Sequence, residues 1–139
     1  MTPYTEIYER FLLLVQEYDF IELEEDEFEQ IFEIKLEMAL GKLSALDLTM
    51  NPNTQTFNRE LTISEKTILA YALMTEWLTQ RVFDVQNMRN HLASKDYKVF
   101  SMANHLAELR ALHEYASKEV SYLLGQYLLT QTLTQVKFS

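Results

Sequence analysis

His105 and Glu108 stand three residues apart and His113 follows His105 by eight, so a helix through this stretch presents one face with the ligand types of a metal cluster. A carboxylate-bridged dimetal bundle needs two Glu-x-x-His pairs and two further glutamates from other helices. Here the order is His-x-x-Glu and it occurs once, so these side chains, and His91 with them, read as surface or interface histidines. The acidic run Glu22, Glu24, Glu25, Asp26, Glu27 and Glu29 suggests a cation, but it has neither the central glycine nor the spaced oxygen ligands of a calcium loop. It reads as a solvated, helix-capping face, open to a salt-sensitive contact with a basic partner.

Nucleophilic chemistry has little to draw on. There is no cysteine and no Gly-x-Ser-x-Gly elbow, and the two glycines, Gly41 and Gly125, belong to no phosphate-cradling turn. Trp77 with Tyr71 and Met74 has the composition of a ligand pocket, yet aromatic and Met side chains at helical spacing are the ordinary material of packing. The sequence therefore predicts no enzymatic activity and calls for no cofactor or metal.

The elements that position these residues are helices. With 139 residues, 47% of them hydrophobic, the chain is the size of one domain with one core. Only 2 glycines and 2 prolines leave few breakers for the turns of a β-sandwich or barrel. Residues 1–20 show no basic start followed by an apolar run, and the longest apolar run is Ile68–Met74, so neither a secretory signal nor a membrane span is expected. A soluble, intracellular, all-α helical bundle is the predicted class.

Thr2-Pro3 opens a first helix whose apolar positions are Ile7, Phe11, Leu14 and Tyr18, broadened by Leu12, Leu13 and Val15. Asp26 with Glu29 forms a capping-box-like start for a second helix burying Phe28, Ile31, Phe32, Leu36, Met38, Ala39 and Leu40. Glu29, Glu33 and Glu37 form its solvated stripe, and Gly41 weakens or ends it. Ser44–Glu60 concentrates turn residues and reads as the main loop. Thr62 with Glu65 then caps a third, central core helix through Leu78, and Asp84–Phe100 reads as one or two short helices. From Ser101, Met102, Leu106, Leu109, Leu112, Ala116, Val120, Leu123 and Tyr127 mark one long C-terminal helix, the spine of the bundle. Residues 1–129 thus form a single helical domain. The stretch 130–139, TQTLTQVKFS, reads as a C-terminal tail: a frayed helix end, or an extended segment that pairs as a strand or docks on a partner.

Charge is unevenly placed. Residues 1–60 hold 14 acidic and 4 basic side chains, whereas 61–139 hold 7 and 8, so copies side by side bring unlike surfaces together. The overall charge of −9 argues against non-specific nucleic-acid binding, which needs clustered Lys and Arg.

Three segments, FNREL (57–61), SEKTILAYALMTEWL (64–78) and SKDYKVFSMANHLAELRALHEY (94–115), resemble the small neck proteins of tailed bacteriophages, the head-to-tail connector or adaptor class. The resemblance covers Phe57–Tyr127, about half of the chain. It implies a structural virion protein, made in the host cytoplasm and placed in the phage neck as a homo-oligomeric ring, commonly twelve-fold, between the portal protein and the tail or neck proteins. It implies no active-site residues. DNA would pass through such a ring without specific binding, and an acidic lumen would keep it from sticking.

On this reading Leu133, Val136 and Phe138 dock on a partner, and Arg81, Arg89 and Lys98 face Glu24, Glu25 or Glu29 of an adjacent copy. The alternative is a small acidic helical regulatory or scaffold protein that binds a host partner.

Overall fold

A computed structural model describes residues 1–15, 28–90 and 97–138, with side chains at 1–15, 31–87 and 103–133. Helix α1 spans Tyr4–Val15, α2 Phe28–Gly41, α3 Ile63–Asn90 and α4 Tyr97–Phe138. Between α2 and α3 lie a 3₁₀ turn at Ser44–Leu46 and a hairpin of β1 (Met50–Asn51) and β2 (Thr56–Phe57), paired antiparallel with Met50 opposite Phe57. The all-α class holds, with one long C-terminal helix.

Helix α3 is the hub, since α1, α2 and α4 all pack on it. Ile68, Leu69, Ala70, Ala72, Leu73, Met74, Trp77 and Leu78 are buried, so its first half is apolar on nearly every side. Its start is the predicted capping box. The Glu65 amide donates to Thr62 Oγ1 at 3.2 Å, and the Thr62 amide donates to Glu65 Oε1 at 2.9 Å. Phe11 of α1 joins the helices edge-on, 5.1 Å from Phe32 of α2 and 5.8 Å from Trp77 of α3 between ring centroids.

Helix α4 has 42 residues, about 63 Å at 1.5 Å per residue, against 28 residues in α3. The two run antiparallel: Arg110 meets Gln86, His113 meets Thr79 and Tyr127 meets Glu65. Leu106, Leu109, Leu112 and Ala116 are buried in this seam. Since Tyr127 already lies at the first turn of α3, residues 130–138 carry α4 on past it.

Four expectations change. The extended alternative for 130–139 is replaced by helix as far as Phe138, because no glycine or proline follows Gly125 to stop propagation. Asp84–Asn90 and Tyr97–Phe100 are not short separate helices but the end of α3 and the start of α4. The main loop is structured by the hairpin, and residues 2–4 lie along β2, with the Tyr4 amide donating to Gln55 O and the Phe57 amide to Thr2 O, both at 2.9 Å. Thr2 Oγ1 is thereby committed to Glu60 and to the Leu61 amide. Last, Leu13, Ile31 and Met38, expected inside, are exposed. The predicted positions Tyr18 and Asp26 lie outside the described residues.

The turns in 44–60 use no glycine. Asp47, with φ 51°, ends the 3₁₀ turn, and Gln55, with φ 57°, turns the hairpin while its Nε2 donates to Pro52 O at 2.9 Å.

Candidate functional site

Two regions stand out from the packing. One is a buried ionic junction at the start of α3. Arg59 forks onto the Glu65 carboxylate, Nη1 to Oε1 at 2.9 Å and Nη2 to Oε2 at 2.5 Å, and Nη2 also donates to Leu46 O at 2.8 Å. The Tyr127 hydroxyl of α4 donates to Glu65 Oε2 at 3.1 Å. Glu65 is 1% exposed. Burial pushes its carboxyl up, but hydrogen bonds from Arg59, the Thr62 amide and Tyr127, with the Arg59 charge, outweigh that and hold it down at about 2. Burial and then the Glu65 carboxylate raise the Tyr127 phenol above its usual range. Both carboxylate oxygens accept two hydrogen bonds each, so Glu65 has no free lone pair to act as a base. The junction locks together the 3₁₀ turn, α3 and α4.

Beside it a groove of about 530 Å³ opens between the start of α3 and α4, lined by Thr62, Ile63, Thr67, Leu123, Gln126 and Thr130 among others. Its polar groups are hydroxyls and side-chain amides, with the Tyr127 hydroxyl already committed to Glu65. Lys42 joins α2 to α3 through Glu76 at 2.5 Å, a second tie to a buried carboxylate.

The other region is the outer face of α4. Tyr115, Tyr122, Leu129 and Leu133 are between 47% and 63% exposed. Their spacings of seven, seven and four put them within about 40° of one another at 3.6 residues per turn. They form one apolar stripe about a third of a turn from the buried seam on α3. Large apolar side chains aligned in a row, rather than scattered, form one contiguous apolar surface.

Among the described residues no group of three His, Asp or Glu side chains is placed to hold a metal. His113 Nε2 instead lies 2.9 Å from Thr79 Oγ1, within the contact of α4 with α3. Trp77 and Met74 are buried in the core, and Tyr71 packs on Tyr115 with ring centroids 6.5 Å apart. Among the described residues no helix is long and apolar enough to cross a membrane.

Compared with protein-family models, curated proteins and solved structures, the chain matches none.

The structure separates the predicted binding residues. Leu133 is exposed on the α4 stripe, and Val136 and Phe138 follow on the same helix. Arg81 lies on α3 with its guanidinium 5.8 Å from the Trp77 ring centroid, a cation–π contact at the α2 side. Arg89 belongs to the last turn of α3, Lys98 to the first of α4 and Glu29 to the first of α2. Glu24 and Glu25 lie outside the described residues. The Arg59–Glu65–Tyr127 junction has no signature in the sequence as a whole. Thr62-x-x-Glu65 flagged the carboxylate as a cap, but nothing in the spacing indicates that Arg59 and Tyr127 converge on it.

Proposed function

We propose that this chain is a non-enzymatic structural subunit, a head-to-tail connector of a tailed-phage neck that joins portal to tail by self-association and docking. The observation that carries the reading is the outer stripe of α4. A rigid helix, anchored to α3 through Leu106–Ala116 and through Tyr127 on Glu65, continues beyond the bundle with Leu129 and Leu133 uncovered. Such a helix suits a subunit that works through its surfaces. The resemblance of residues 57–127 to neck proteins supplies the biological setting, and the partners it implies are a portal protein on one side and tail or neck proteins on the other.

Electron microscopy of the purified protein, alone and mixed with portal protein, tests this. Rings that seat on the portal are expected. Deletion of residues 130–139 removes the end of the projecting helix while leaving the α3–α4 seam, and should abolish docking with the helical content of the remainder retained. A chain that binds no virion component and instead captures a host protein would favour the acidic regulatory or scaffold reading. Unchanged docking after the deletion would reject the role given to the end of α4.

A further inference from the structure

Glu33 and Glu37 of α2 stand one helical turn apart, so they lie side by side. The sequence reads them as part of a solvated stripe. The structure places both along a groove of about 360 Å³ between α2 and the hairpin, lined also by Tyr4, Leu40, Leu48 and Met50 among others. Neither carboxylate has an ion pair among the described residues, and Glu33 Oε1 accepts one hydrogen bond, from Gln55 Nε2 at 3.2 Å. Neighbouring carboxylates are commonplace on a helix surface. What sets these apart is Tyr4 in the same groove. It is 0% exposed, with its ring edge-on to Phe57 at 5.1 Å between centroids and its amide on Gln55 O. Among the described residues its hydroxyl has no hydrogen-bond partner. A hydroxyl shut away from water without a partner costs stability, and native chains seldom leave one so. Burial first, then the charges of Glu33 and Glu37, raise the Tyr4 phenol above its usual range, as expected of a hydroxyl that both carboxylates approach.

We propose that this groove binds an alkylguanidinium, the group that ends an arginine side chain, with Glu33 and Glu37 on the guanidinium and the Tyr4 hydroxyl accepting one of its N–H bonds. Three features select that chemistry. The first is charge: the groove offers two anions, and no described Lys or Arg lines it. The second is the set of acceptors. Two carboxylates and a hydroxyl suit the planar fork of N–H donors on a guanidinium, which is also more weakly hydrated than an ammonium and so enters a partly apolar groove at less cost. The third is the wall. Leu40, Leu48 and Met50 give an aliphatic stem an apolar surface to lie on. The same side chains supply nothing to a hard metal ion, which takes about six oxygen ligands. The volume is near the lower end of small-molecule pockets, the size for one such side chain. The site stands apart from the connector reading, which portal binding tests by itself.

Two-dimensional NMR of the full chain, titrated with N-butylguanidinium, n-butylammonium and the capped peptide acetyl-Gly-Arg-Gly-amide, tests this. Butylguanidinium should give saturable shifts centred on Tyr4, Glu33, Glu37 and residues 48–50, and butylammonium should bind about threefold or more weakly. Glu33→Gln with Glu37→Gln should weaken butylguanidinium binding about tenfold or more. Tyr4→Phe separates a hydroxyl kept for a ligand from one that holds the fold. It should weaken binding about threefold or more, while the free variant unfolds at the same or a higher urea concentration than the parent, because an unpartnered hydroxyl takes no bond with it. Shifts of the same residues by the peptide would assign the site to an arginine presented by another protein. Binding of butylguanidinium without the peptide would assign it to a free small molecule, and both results uphold the site. Absence of saturable shifts, equal binding of butylammonium, or undiminished binding by the double Gln variant would overturn the proposal. A Tyr4→Phe protein that binds as tightly as the parent, or that unfolds more readily without ligand, would overturn it as well.

Discussion

The two halves of α4 are built from the same residue types and meet opposite surroundings. Leu106, Leu109, Leu112 and Ala116 are buried against α3, whereas Leu128, Leu129 and Leu133 face outward on the same continuous helix. Tyr127 marks the boundary: it is the last α4 side chain described as less than exposed, held by Glu65. Apolar periodicity alone does not separate a stripe that folds the chain from one that awaits another surface. What separates them is the length of the partner helix, since α3 starts at Ile63 and offers nothing beyond.

Substitutions on either side of that boundary should therefore read out differently. Leu109→Ala, on the buried side, should destabilise the fold by about 3 kcal/mol through lost apolar contact and the cavity left, measured by urea unfolding. Glu65→Ala removes the partner of Arg59 and Tyr127 and should cost about 2–3 kcal/mol, below the full value for a buried pair because the Arg59 side chain is 38% exposed. If that variant unfolds at the same urea concentration as the parent, the junction does not anchor α4.

Acid tests the same junction. The Glu65 carboxyl titrates at about 2 in the folded chain against 4.5 as its ordinary value, so the unfolded chain takes up its proton first as pH falls. The stabilisation is complete above about pH 5 and is lost progressively down to about pH 2, amounting to about 3 kcal/mol. The parent should lose stability through that window, and Glu65→Gln should lose distinctly less. Equal acid sensitivity in the two would assign the loss to other carboxylates.

Tyr127→Phe removes one hydrogen bond and should cost about 1 kcal/mol. The smallest effect on folding is expected on the outer side, where Leu129→Ala should change stability by less than about 0.5 kcal/mol. The same variant should weaken self-association. A loss of folding stability as large as that of Leu109→Ala would show that the outer stripe is covered within one chain.

Much of this was legible in the sequence. The Thr62-x-x-Glu65 box and the apolar positions from Ile68 to Leu78 mark the central helix, and the steps from Leu106 to Tyr127 mark the face of α4 that meets it. Helix α2 ends at Gly41, which stays within the helix without a left-handed conformation. The failures have physical causes. Asp84–Asn90 lacks apolar periodicity, but it also lacks breakers, and a helix already nucleated at Thr62 extends at little cost. Ile31 and Met38 are apolar and so read as core, while the side of α2 that is buried depends on where α1 and α3 lie. The hairpin reads as loop because its strands have two residues each and depend on residues 2–4, distant in sequence, for their further hydrogen bonds. Arg59 and Tyr127 reach Glu65 only through tertiary packing.

Amide hydrogen exchange followed across protein concentration tests the division of α4 most directly. Residues 106–127 should be protected at every concentration, because α3 covers them within one chain. Residues 128–138 should exchange quickly in dilute solution and become protected only at concentrations where the chains associate. Strong protection of 128–138 in the monomer, or rapid exchange there within the assembled state, would contradict the assignment of this surface to assembly.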